Sequence, residues 1–240
     1  MQDLNEAIAA SNLRGLPPTA IEALTADARR VDVPAGTTYR HVGDDSAHIE
    51  LVVSGFVRIF VTAPDGRSLT IRYARPGALM GVWSLYGTGQ SMPGSIQALV
   101  DTELLVLEPG TVRRLATMDL AVAGALLVEL SERVWSFVNE IPWSAFGSVR
   151  QRVAQHLLDL ASERQRDRDL MAPVTQQQLA EAVGSVREVV VRVLRELRQE
   201  GAIQTVPGGI VILDPDCLLA DSDAGTKVPD GRTTGSPRSD

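Results

Sequence analysis

The stretch SVREVVVRVLRELRQEG, residues 185 to 201, carries Arg187, Glu188, Arg192, Arg195 and Arg198 within four turns of what its spacing predicts to be one helix. At about 100° per residue, Val186, Val189, Val190, Val193, Leu194 and Leu197 fall on one side and the charged residues on the other. Ser185 stands where an N-cap belongs, with Glu188 three residues on, and Gly201 stands where a helix stops. A guanidinium presents a planar fork that matches the O6/N7 edge of guanine, and a carboxylate accepts from the N4 amine of cytosine. The same pattern also fits a solvated helix laced with Glu–Arg pairs.

The neighbouring elements decide between these readings. Upstream, TQQQLAEAVG predicts a short helix: Thr175 caps it, Gln178 completes a capping box, and Leu179 and Val183 form an i, i+4 pair. Ala180 leaves room for a crossing helix, and Gly184 is the single predicted turn residue between the two helices. A short helix, a tight turn and a cationic second helix form a helix-turn-helix, whose second helix enters the major groove of DNA. Downstream, AIQTV and IVILD flank Pro207, Gly208 and Gly209 and predict a β-hairpin, the wing of a winged helix.

Bulk composition sets the limits. The 240 residues carry a formal net charge of −7 and are 44% hydrophobic, enough for a substantial core. An acidic chain does not coat nucleic acid indiscriminately, but one basic face can still meet phosphate. No apolar run approaches the ~18 residues needed to span a bilayer, and no secretory signal is seen, so a cytoplasmic location is expected. The one cysteine, Cys217, excludes an intrachain disulfide and a cysteine-ligated zinc or iron–sulfur centre within the chain. No Ser/His/Asp set, metal-spaced cluster or phosphate loop is present, so no catalytic residue and no metal site are assigned and no enzyme activity is expected.

The first half is rich in short β-type runs punctuated by glycine: VPAGTTYRHVG, IELVVSGFVRIFV, DGRSLTIRYARPGALMG and SIQALVDTELLVLEP. They predict an antiparallel sandwich or barrel, with a hairpin at Asp65-Gly66. Residues 119 to 141 are helical in pattern, with Asp119 as N-cap. Leu127, Leu130, Val134, Phe137 and Ile141 recur at spacings of three and four, as in a two-helix seam. A helix packed on its own β-domain fits the same spacing. Pro142 should break or kink the helix, IPWSAFG is the candidate hinge, and Ser148 should cap the next helix.

Residues 176 to 203 resemble the DNA-binding motif of the cyclic AMP receptor protein/FNR superfamily of bacterial regulators, whose reading triad matches Arg187, Glu188 and Arg192. The order Pro34-x-Gly36, Ser54-Gly55, Asp65-Gly66-Arg67, Pro76-Gly77 and Gly81 is similar to that family's cyclic-nucleotide-binding β-roll, and the resemblance covers about residues 15 to 215. It implies an α+β fold. A β-roll effector domain (1–118) precedes a dimerisation helix with its hinge (119–147). A winged helix-turn-helix (148–216) follows, and residues 217–240 are expected to be a disordered tail. The implied partners are double-stranded DNA bearing TGTGA-like half-sites, a second copy of the chain, and RNA polymerase. The loop 162–173, charged with both signs, reads from its residues as a solvated connection or, alternatively, as a polymerase contact. Thr175, Gln176, Ser185 and Arg195 join the triad as candidate DNA-contacting residues.

The effector pocket departs from the resemblance. Where cyclic AMP receptors carry a Glu for the ribose, an Arg-Ser pair for the phosphate and a Thr-Ser pair for the adenine, this chain has Val82, Met92-Pro93 and Phe137-Val138. A buried phosphate needs a cation or several donors. Binding of cyclic AMP in the usual way is therefore not expected. A pocket lined by these residues and Trp83 suits an apolar ligand, or is filled by its own side chains, with Trp83 and Phe137 bulky enough to do so. His41, His48 and His156 make no recognisable haem site. Two alternatives stand beside an effector-controlled regulator: an effector-independent architectural DNA-binding protein, and a regulator sensing an apolar ligand or haem.

Overall fold

A computed structural model describes residues 2–44, 48–66, 68–87, 91–161 and 170–223. Two short helices, α1 (Gln2–Ala10) and α2 (Pro18–Thr25), precede eight strands. These are β1 (Arg29–Val33), β2 (Thr38–Arg40), β3 (Ile49–Ser54), β4 (Val57–Thr62), β5 (Ser68–Ala74), β6 (Leu79–Met80), β7 (Ser95–Ala98) and β8 (Thr102–Leu107). They pair antiparallel in two four-stranded sheets, β1-β8-β3-β6 and β2-β7-β4-β5. The expected hairpin joins β4 to β5 across Asp65-Gly66. Strand β3 is buried on both faces, because its alternation serves two layers. Ile49, Leu51 and Val53 pack with Leu13, Leu24 and Val112 of the helical layer. Val52 joins Val57, Ile96 and Leu104 between the sheets. Gly81 follows β6 at φ +81°, and a Cβ there would meet the His48 carbonyl oxygen at 2.0 Å, so no larger residue fits.

Helix α3 (Pro109–Met118) leads into α4 (Leu120–Phe146). Asp119 Oδ1 accepts from the Ala121 N–H at 2.8 Å, the expected cap. Of the break or kink expected at Pro142, the break does not occur: the helix runs on to Phe146 and ends before Gly147 and Ser148. Proline removes one backbone donor, and the turns on either side keep the helical path despite it. The inner face of α4 seats Val122 and Leu126 in the helical core, with Leu130 at its margin.

The chain divides into two compact units, residues 1–138 and 139–240. The second contains α5 (Val149–Ala161), β9 (Leu170–Ala172), α6 (Gln176–Ala182), α7 (Arg187–Gln199), β10 (Ile203–Val206), β11 (Gly209–Ile212) and α8 (Pro215–Asp223). Strands β10, β11 and β9 form a three-stranded antiparallel sheet, which contains the predicted hairpin. The tail expected from residue 217 onward begins instead as α8, which packs on α5 and buries Leu218 completely. Residues 162–169, most of the charged loop proposed to meet polymerase, and 224–240 of the tail lie outside the described residues.

Candidate nucleic-acid interface

Helix α6 is held at its start by the expected capping box. The Gln178 N–H donates to Thr175 Oγ1 at 3.2 Å, and the Thr175 N–H donates to Gln178 Oε1 at 2.9 Å. Leu179, Ala180 and Val183 are buried against the rest of the unit. The turn is longer than one residue: α6 ends at Ala182 and α7 begins at Arg187, with Gly184 at φ +62° between them. Ser185 does not cap α7. The cap position is Val186, whose backbone is extended and whose side chain offers no acceptor. The four-residue turn moves the helix start one residue beyond the sequence-based expectation, and the predicted Ser185–Glu188 capping box is not formed.

Val190, Val193, Leu194 and Leu197 are buried, anchoring α7. The opposite side carries Arg187, Glu188, Arg192 and Arg195, all exposed. None of the four side chains forms a hydrogen bond or ion pair with another described residue. Thr175 is exposed and Gln176 half-buried at the start of α6. Each charge on this face can meet an external partner without first breaking a contact with a described residue.

Arginines elsewhere in the unit are engaged by the chain itself. Ser148 caps α5 in a box with Gln151, its N–H donating to Gln151 Oε1 at 2.7 Å and its Oγ accepting from the Gln151 N–H at 3.2 Å. Arg150, in the first turn, donates to Asp221 of α8 at 2.9 Å and to Glu200 Oε1, just past α7, at 3.0 Å. These contacts raise the Arg150 pKa above its usual value, and the guanidinium holds the Glu200 carboxyl below the usual carboxylate range. Arg152 donates to the carbonyls of Val183 at 3.0 Å and Gly147 at 2.6 Å. Most of these partners lie more than thirty residues away in the chain, so local sequence patterns do not reveal the clamps. Cys217 lies close to Glu200 and Asp221. Burial, reinforced by those carboxylates, pushes its thiol up and keeps it protonated.

The five seam residues of α4 divide. Leu130 meets the helical core, whereas Leu127, Val134, Phe137 and Ile141 are largely exposed. Trp135 is 70% exposed beside them. Leu127, Leu130, Ser131, Val134, Trp135 and Val138 line an apolar groove of about 390 Å³ along the helix.

The positions aligned with cyclic AMP contacts do not form one built site. Val82 packs in the helical core, and Met92 packs between the two sheets. Trp83 and Phe137, expected to fill the pocket, are instead 38% and 46% exposed. Pro93 and Val138 are also exposed. The helical face bearing Phe137 and Val138 turns outward, which is why neither serves as filling. Val82, Met92, Pro93, Phe137 and Val138 offer no cation and no side-chain donor for a cyclic phosphate, so the five positions do not supply the nucleotide contacts of the resemblance. Of the histidines, His48 is buried, His41 is exposed and His156 is half-buried.

Comparison with known proteins agrees with this geometry. Residues 30–119 match the family model of the cyclic nucleotide-binding domain, and residues 151–220 match that of the Crp-like helix-turn-helix domain. A cyclic AMP receptor protein of Thermus thermophilus is 32% identical over 207 residues, covering 85% of this chain and 93% of that protein. The chain belongs to the CRP/FNR family. A CRP/FNR-family transcriptional regulator of known structure, also from Thermus thermophilus, is 28% identical with a TM-score of 0.69, covering 82% of this chain and 100% of its own. The c-di-GMP-responsive global regulator CLP of Xanthomonas campestris is 25% identical with a TM-score of 0.71, covering 82% and 99%. The chain thus has the α+β architecture of this family and is a DNA-binding transcription regulator of the CRP/FNR type. No helix among the described residues is long and apolar enough to cross a membrane.

Proposed function

We propose that the chain acts as a cytoplasmic, non-enzymatic homodimer that reads a palindromic site with TGTGA-like half-sites about one helical turn apart. In this reading it is not controlled by cyclic AMP through the usual pocket. The observation that carries it is the face of α7, where Arg187, Glu188, Arg192 and Arg195 are exposed, with side chains unpartnered among the described residues. Arg187 and Arg192 take guanine edges, Glu188 accepts from cytosine N4, and Arg195, Thr175, Gln176 and Ser185 meet the phosphate backbone. The exposed Leu127, Val134, Phe137 and Ile141 of α4, with Leu130 at their edge, pair with the same face of a second copy. RNA polymerase is the further partner of the DNA-bound dimer.

The chemistry of the aligned pocket positions supports the reading that cyclic AMP does not control the chain through them. Val82 has no acceptor for a ribose hydroxyl, Met92 has no charge, and Pro93 lacks a backbone N–H. Each missing charge-assisted contact is worth ~1.5–3 kcal/mol, against the ~8 kcal/mol of a micromolar affinity. The burial of Val82 and Met92 in two separate packing clusters favours a β-roll partly filled by its own side chains. No haem or other cofactor is assigned.

The test is isothermal titration with cyclic AMP and cyclic GMP, beside DNA binding with and without each nucleotide. The expected result is no saturable binding at micromolar concentration and unchanged DNA affinity. A dissociation constant near a micromolar with tighter DNA binding would overturn the pocket reading and point to a phosphate site built elsewhere in the β-roll.

A further inference from the structure

We propose that Val186 is a specificity-determining residue that reads the 5-methyl group of a thymine beside the base pair contacted by Arg187. The inference rests on α7 being the reading helix. Val186 and Val190 are four residues apart, a spacing that places both on the buried side of a continuous helix. Val190 is 0% exposed, yet Val186 is 54% exposed. The reason is local. The backbone at Val186 is extended, at φ −91° and ψ 149°, so the residue stands just ahead of the first helical turn and its side chain leaves the core.

The position is unfavourable for valine unless something outside the chain covers it. An N-cap is the place for Ser, Thr, Asp or Asn, whose oxygen satisfies a first-turn N–H, and Val186 supplies none. Among the described residues of the helix-turn-helix, it is the one large apolar side chain left widely exposed; Leu213 and Leu219 lie past the wing strand β11 and on α8. Its neighbours in sequence are Arg187 and Glu188, exposed and with side chains unpartnered among the described residues, and residues at the start of a reading helix are those that reach base edges. The major groove offers donors and acceptors along its floor and one apolar group, the thymine methyl. An isopropyl group carried into that groove beside Arg187 has this single complementary target.

The experiment begins with selection of the preferred duplex from a randomised pool by the full chain, and by Val186→Ser and Val186→Ala. Each thymine of the duplex selected by the native chain is then replaced in turn by deoxyuridine, which removes only the methyl. At one thymine per half-site the native chain should lose about threefold to tenfold in affinity, the scale of one good apolar contact. The Val186 variants should bind the thymine duplex more weakly and show no further loss on deoxyuridine. Val186→Ser also restores a capping hydroxyl, so its thermal midpoint should be unchanged or raised while its discrimination is lost, which a purely structural role for Val186 would not produce. Equal affinity of the native chain for all deoxyuridine duplexes, or undiminished discrimination in Val186→Ala, would overturn the assignment. Failure of the native chain to select any sequence would instead contradict the reading of α7 itself.

Discussion

Helices α4 and α7 both leave in solvent what a solitary folded chain does not need there, and they do so with opposite chemistry. Helix α4 buries Val122 and Leu126 but exposes Leu127, Val134, Trp135 and Phe137. Helix α7 buries Val190, Val193, Leu194 and Leu197 and exposes Arg187, Arg192 and Arg195, whose side chains pair with no other described residue. Exposed apolar surface is relieved by another apolar face, and unpaired cations by polyanions. The two helices therefore suit different partners, in the proposed reading a second copy of the chain for α4 and DNA for α7. Helix α5 supplies the control: Arg150 and Arg152 are the same residue type, yet their donors are taken up by Glu200, Asp221 and the carbonyls of Gly147 and Val183. An arginine's role is set by whether the fold has already occupied its donors.

The largest expected effect falls on α4. Val134→Asp or Phe137→Asp places a charge in the apolar seam and should weaken the dimer by several kcal/mol. Sedimentation velocity at micromolar concentration should show monomer. Two variants that stayed dimeric would place the self-association surface elsewhere.

On α7, Arg187→Ala and Arg192→Ala should each lose ~1–3 kcal/mol on the specific site and far less on scrambled DNA, measured by fluorescence anisotropy. Equal losses on both duplexes would reduce these arginines to phosphate contacts.

The contrast with α5 sharpens when stability is measured instead of binding. Arg152→Ala strands two backbone carbonyls and should destabilise its unit by about 1–3 kcal/mol. Arg195→Ala removes an exposed, unpaired charge and should change stability by less than about 0.5 kcal/mol. Chemical denaturation of the two variants side by side checks both figures.

Much of this was legible in the sequence. The Asp65-Gly66 hairpin, the Thr175–Gln178 box, the Asp119 and Ser148 caps and the amphipathic α7 are local patterns, each fixed by residues within a turn or two. What escaped the sequence depends on distant contacts. Helix α8 reads as polar tail, and it is ordered because Leu218 buries against α5 and Asp221 meets Arg150. The shift of the α7 cap from Ser185 to Val186 follows from the path of the four-residue turn. The dispersal of Val82, Trp83, Met92 and Phe137 is set by how sheets and helix pack, which alignment to a family's contact positions does not reveal.

The smallest effect is a pH dependence within the second unit. His156 is held neutral by burial and by the nearby Arg152, with its pKa lowered to about 4 from 6.5. The unfolded chain takes up this proton near pH 6.5, whereas the folded chain resists until about pH 4. The associated stability is complete above pH 6.5 and is lost progressively as pH falls toward 4. His156→Gln should flatten the fall in thermal midpoint between about pH 7 and pH 5. An unchanged slope would mean that His156 titrates normally.

The central claim is that α4 pairs two chains so that two copies of α7 read one two-fold site. Its most direct measurement is a stoichiometric titration of the full chain against a TGTGA-like palindrome and against a duplex carrying a single half-site, followed by analytical ultracentrifugation of each complex. The account predicts two chains per palindromic duplex and markedly weaker binding to the single half-site. One chain per duplex, bound equally well to both, would contradict it.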